Sequence, residues 1–290
     1  LAVLSALGPA LLHGLACAMG LPRRVGLVAA LGLAAWPLVA AVGAGDLLVG
    51  PSTTLALAGL AAAFVALRRE RDALLVPAAA LLGGAVWCCP EGGLFLFPAL
   101  IPGVAAARRW PRRRALRAAA LWLGLALAAR AGLLIVSGPK AADTWGPGGL
   151  EMLAAAASPG MHPLVPWWLW LGIPLGILAA WRHRAAAPIL AAGVGAGLVV
   201  VLLHAGDAPG IARGASIAAP WIALLAGMGF VALLSRVPRP RVAAGLFVLL
   251  GAGILVVPTL HRDGLDAPSG PSAAVRAFQR AHLDVRSPCG

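Results

Sequence analysis

GPSTTLALAGLAAAFVALRRERD, residues 50–72, is the stretch on which the fold turns. From Gly50 to Leu67 it carries no charged side chain, and it then breaks into Arg68, Arg69, Glu70, Arg71 and Asp72. At about 1.5 Å per residue, a helix through such a run approaches the roughly 30 Å hydrocarbon core of a bilayer. Ser52 or Thr53 is placed to cap the start of that helix, and the arginines suit its cytoplasmic end. Comparable apolar windows recur at 1–20, 25–43, 73–89, 91–107, 115–137, 164–181, 185–203, 215–235 and 242–259. The predicted fold is therefore all-α, a polytopic transmembrane helix bundle of about ten helices. The count falls to about eight if residues 73–107, divided by Pro90, form a re-entrant hairpin.

Composition agrees with this reading. Hydrophobic residues make up 61% of the 290-residue chain and charged residues 11%, with a mean hydropathy of +0.91. No water-soluble core absorbs that much apolar surface. A net charge of +13 would ordinarily suggest nucleic acid, but the arginines fall in short clusters between apolar runs and make no continuous basic face. Nucleic acid is therefore not an expected partner. Cys17, Cys88 and Cys89 lie in or beside apolar runs and Cys289 is next to last, so neither a disulfide framework nor a zinc spacing emerges. The opening LAVLSALGPALLHGLACAMG lacks an initiator Met and a basic leader; it reads as a spanning segment, and the chain is expected to be a fragment missing its start.

Charge also predicts orientation. Alternate loops carry Arg23 and Arg24; Arg68, Arg69 and Arg71; Arg108, Arg109, Arg112, Arg113, Arg114 and Arg117; Arg182 and Arg184; Arg236, Arg239 and Arg241. Short basic loops are retained in the cytoplasm. The intervening loops and the tail hold Asp46, Glu91, Asp143, Glu151, Asp207, Asp263, Asp266 and Asp284, with Lys140 and Arg213 as the basic exceptions in the loops. The expected location is the cytoplasmic (inner) membrane, with acidic loops and tail outside. Trp87, Trp110, Trp145, Trp167, Trp168, Trp170, Trp181 and Trp221 fall near predicted helix ends, where indoles favour the headgroup layer. The expected domains are a transmembrane part, 1–260, and an outer C-terminal segment, 261–290, read as incomplete. A long outer loop, 138–163, contains LEMLAAAA between glycine and proline breaks, which suits a short interfacial helix bordering a cavity.

No nucleotide-binding, metalloprotease or nucleophile-elbow motif is present. Neither a cofactor nor a divalent metal ion is indicated by a motif. LGLAAWP (31–37) and GAGLVVV (195–201) carry small residues suited to close helix packing. The candidate site residues are polar groups at outer helix ends, since an ionisable group beside lipid is costly without a partner or a task. Glu91, in CCPEGG, lines an outer cavity or caps the next helix. Asp46 lines the same face or is simply solvated. Lys140 and Arg213 either hold a lipid phosphate or snorkel to headgroups. His162 and His204 are structural hydrogen-bonding residues or, for His204, a substrate contact. Arg130, inside an apolar run, points to an interior polar partner that the residues do not identify.

Three stretches together resemble the GT-C-type multi-span glycosyltransferases, of mannosyltransferase-like kind. They are RRVGLVAALGLAAWPLVAAVGAGDLLVGPSTTLALAGLAAAFVALRRERD (23–72), LLVPAAALLGGAVWCCPEGGLFLFPALIPGVAAARRW (74–110) and IARGASIAAPWIALLAGMGFVALLSR (211–236). The resemblance implies a hexosyltransferase that takes a sugar from a polyprenyl-phosphate donor at the outer face, with membrane lipid around it. It implies that Arg213 and Lys140 stabilise the leaving phosphate and that Asp46 and Glu91 line the outer cavity. Cys89 stands where the family's Pro-Glu-Gly hairpin commonly has arginine, and Ser52 where many members have a second acidic residue. The family's catalytic acid lies in a first outer loop that would precede residue 1, so no catalytic residue is assigned. Two other classes fit the same residues: a transporter or flippase subunit for a lipid-linked or small substrate, and a noncatalytic membrane protein of envelope assembly.

Overall fold

A computed structural model describes residues 6–36, 39, 49–89, 111, 166–181, 186–203 and 208–263. The described residues are all-helical. In chain order the helices are α1 (Gly8–Ala18), α2 (Arg23–Ala34), α3 (Val49–Arg69), α4 (Leu75–Cys88), α5 (Trp167–Ala180), α6 (Ala187–Leu203), α7 (Ala208–Leu234) and α8 (Pro240–Asp263), with a 3₁₀ turn, Asp72–Leu74, leading into α4. Two of them contain runs long and apolar enough to cross a membrane, Val49–Arg69 and Gly214–Leu234. The remaining apolar runs are shorter; a helix the length of α4 or α5, 14 residues, spans only about 21 Å.

Helix directions follow from specific contacts. Gly26 of α2 faces His13 and Ala16 of α1, making α1 and α2 an antiparallel pair. Thr54 of α3 lies beside Gly8, while Arg68 at the other end of α3 donates from Nη1 to the carbonyls of Cys17 (3.3 Å) and Ala18 (3.2 Å). Thus α3 runs parallel to α1. Gly59 meets Ala78 and Leu82, and Ser52 donates from Oγ to the Ala85 carbonyl at 2.8 Å, so α4 returns antiparallel along α3. On the other side, Gly227 near the end of α7 packs on Val25 and Ala29 near the start of α2. Helices α5 and α6 both pack on α7, and Gly193 and Gly197 of α6 meet Trp221 and Ala218, which makes that pair antiparallel.

The α1–α2 turn explains how the first basic cluster is brought to the second. Gly20 adopts φ +83°, a left-handed value that a side chain would strain, and the Leu21 amide then bonds back to the Ala16 carbonyl at 3.0 Å. The Arg68 guanidinium covers this turn: a Cβ at Gly20 would stand 3.3 Å from Nη1. A cation over the last carbonyls of α1 is also favoured by the helix dipole. Arg23 and Arg24 begin the next helix, so the first two basic clusters share one end of the packed helices.

Close helix approach rests on small residues. A Cβ at Gly59 would lie 2.8 Å from Leu82 Cγ, and one at Gly227 would lie 2.8 Å from the Val25 carbonyl oxygen. At Gly176 it would fall on the Leu225 carbonyl, and at Gly193 on the Trp221 ring. These approaches bring backbone and side-chain atoms into dispersion contact. Gly32 and Gly197, in the two runs read from sequence as packing surfaces, act in this way against Trp168 and Ala218.

Several expectations change. The α3 helix begins at Val49, upstream of Ser52 and Thr53, so neither is its N-cap; Ser52 instead ties α3 to α4. Trp168 and Trp221 are core residues, fully buried, and not headgroup anchors. Each lies over a glycine that leaves room for an indole, Gly32 and Gly193 respectively, and Trp168 makes an edge-to-face contact with Trp36 at 5.9 Å. The α7 helix begins at Ala208 and not near residue 215, because Pro209 fits a first helical turn, where its missing N–H needs no partner.

Candidate functional site

The described residues define two chemically unlike ends. At one, Arg68 closes on the α1–α2 turn, and the end of α7, leading to Arg236, lies beside the start of α2. The buried polar side chains among the described residues are Ser52, Thr54 and Ser216. Ser52 and Thr54 occupy the opening turns of α3, and Ser216 the first half of α7. All three are therefore on the portions of their helices remote from the arginine end. A buried hydroxyl is tolerated when it is hydrogen-bonded. Ser52 meets that condition through the Ala85 carbonyl.

Arg213 is the candidate site residue that falls on a described helix. It occupies the sixth position of the 27-residue α7, inside the helix and not in a loop before it. Ser216 is three positions on, so the two share a helix face. Pro220 stands inside the same helix. It has no N–H, and the Ser216 carbonyl four residues earlier thereby loses its usual helical donor. The opening half of α7 thus carries an arginine, a buried hydroxyl and a proline-interrupted backbone ladder in sequence order.

Lys140, Glu91, Asp46 and His204 lie outside the described residues. So do Arg130, His162, the Pro90 hairpin tip and the expected interfacial helix in 138–163. The last described helix, α8, continues to Asp263, and the rest of the expected C-terminal segment, 264–290, lies outside the described residues. Among the described residues, no group of three or more His, Cys, Asp or Glu comes together to hold a metal ion.

Sequence reasoning missed two features of this architecture. One is GIPLG, residues 172–176, whose terminal glycines both meet α7, at Ala226 and Leu225. Its four-residue glycine spacing was available as the signal. The other is the pair of buried indole nitrogens: Nε1 of Trp168 and of Trp221 have no hydrogen-bond partner among the described residues. Nothing local in sequence distinguishes such a tryptophan from one at a headgroup. Comparison with protein-family models, curated proteins and solved structures finds no match to this chain.

Proposed function

We propose that this chain is a polytopic protein of the cytoplasmic membrane, a bundle of about ten transmembrane helices, that acts on a polyprenyl-phosphate-linked sugar at the outer face as a GT-C-like glycosyltransferase. The membrane part of the reading is supported by outward-facing apolar side chains. Leu178 and Trp181 of the α5 region are 70% and 84% exposed, and Val248 and Leu249 of α8 are each 68% exposed. The residues turned inward include Ser52, Thr54 and Ser216. Apolar groups outside and hydroxyls inside suit lipid as the surrounding medium.

The observation that carries the functional part is the position of Arg213. Arg213 and Arg236 flank the apolar run Gly214–Leu234, 21 residues long, or roughly 31 Å of helix. That length matches a hydrocarbon core. With the Arg236 cluster in the cytoplasm, Arg213 belongs at the outer interface, against the usual distribution of positive charge. A guanidinium there suits the phosphate of a polyprenyl-phosphate donor, since its planar fork pairs with phosphate oxygens. In a transfer reaction it would stabilise the leaving phosphate as the acceptor hydroxyl attacks the anomeric carbon. The family resemblance of 211–236 supports the same assignment.

The test is donor binding by the inserted protein. Arg213→Ala should weaken polyprenyl-phosphate binding tenfold or more, on the order of 1.4 kcal/mol, and Arg213→Lys should restore it partly, with membrane insertion unchanged. Unaltered binding in Arg213→Ala would reduce this residue to a headgroup anchor. Transport of the lipid-linked sugar without transfer of the sugar would place the chain among flippases instead.

A further inference from the structure

We propose that His13 and Cys17 form a two-residue binding site for a soft, thiophilic d¹⁰ cation of the Cu(I) class, set into the last two turns of α1. The two residues are four apart on one helix and therefore share a face. His13 Nε2 stands 3.8 Å from Cys17 Sγ. Ordinary metal–nitrogen and metal–sulfur bonds of about 2.0 and 2.3 Å sum to about 4.3 Å. An ion bridging the pair at the observed separation would therefore be bent, at roughly 120°, leaving one position for an exogenous ligand.

Packing fixes the imidazole in the required pose. A Cβ at Gly26 would lie 2.6 Å from His13 Nδ1, so the glycine of α2 is what admits the Nδ1 edge of the ring. That Nδ1 is buried and has no hydrogen-bond partner among the described residues. The neighbouring helix therefore seats the ring by shape, and its Nε2 edge faces the thiol. Cys17 is only partly buried. Two donors, one thiolate and one imidazole, suit soft ions that accept low coordination numbers; harder divalent ions require more oxygen or nitrogen ligands. Binding exchanges the Cys17 thiol proton for the cation, releasing one proton to solvent for each ion bound while no group changes oxidation state. Histidine ligands are usually strengthened by an acceptor on the other ring nitrogen. His13 lacks one among the described residues, which sets a weaker affinity than a two-thiolate site would have.

The experiment uses the full chain in detergent, in a background carrying Cys88→Ser, Cys89→Ser and Cys289→Ser, titrated with Cu(I) against a chromophoric chelator under anaerobic reducing conditions. One equivalent should bind, with affinity falling at least tenfold in both His13→Gln and Cys17→Ser. His13→Cys, which replaces the imidazole with a second thiolate at the same four-residue spacing, should bind more tightly than the parent. Parent-like binding in His13→Gln would mean an isolated thiol and would overturn the proposal. Failure of His13→Cys to bind, in protein with the parent's size-exclusion profile, would equally overturn it, because the helix face would then not present two ligands to one ion.

Discussion

Arg68 illustrates how one side chain can join two basic clusters that lie far apart in sequence. Its contacts to the Cys17 and Ala18 carbonyls place a cationic donor on the last carbonyls of α1, where Cys17 also accepts from the Gly20 amide. Because these contacts are at least partly solvent-accessible, their contribution is screened, and Arg68→Ala should destabilise the packed helices by only about 1 kcal/mol. Gly20→Ala should cost about 1–2 kcal/mol for the left-handed backbone alone. Reversible unfolding in mixed micelles would measure both. An effect of Gly20→Ala smaller than that of an alanine substitution at exposed Gly14 would be inconsistent with the φ of +83°. The turn's location was legible in sequence, from Gly20 and Pro22 between apolar runs. The Arg68 clasp was not, since residues 17 and 68 are joined only by tertiary packing.

At the level of helices, glycine position decides which surfaces meet. Trp221 lies over Gly193, and Leu225 presents its carbonyl to Gly176. Neither contact tolerates an added methyl without movement, but the two differ in what can move. A side chain can change rotamer, whereas a backbone carbonyl is held by its helix. Gly176→Ala should therefore disrupt the α5–α7 pairing by about 2 kcal/mol or more, and no substitution at Leu225 should rescue it. Gly193→Ala should be partly rescued by Trp221→Leu, which shortens the opposing side chain. A disulfide-crosslinking comparison of single and double variants reports both pairings; equal rescue at the two sites would refute the backbone-contact argument.

The positions of most described helices were readable because long uncharged runs and arginine breaks are local signals. Their ends were less readable. The α7 helix starts at Ala208, ahead of the apolar window from 215, because Pro209 permits a first helical turn as well as a break. Nearness to helix ends points Trp168 and Trp221 toward the headgroups, and only the facing glycines reveal that they fill the core. For the site, sequence singled out Arg213 by its exceptional charge, but burial of Ser216 depends on how α7 packs against its neighbours.

For the molecule as a whole, the central claim is that the basic ends of these helices face the cytoplasm and the Arg213 end faces outward. Single-cysteine reporters at Pro147, Asp207, Arg112 and Arg239, in an otherwise cysteine-free chain, test it directly with a membrane-impermeant thiol reagent on intact cells. The account predicts labelling at positions 147 and 207 in intact cells, and at 112 and 239 only after the membrane is opened. Labelling at 112 or 239 in intact cells, with 147 and 207 protected until permeabilisation, would contradict it.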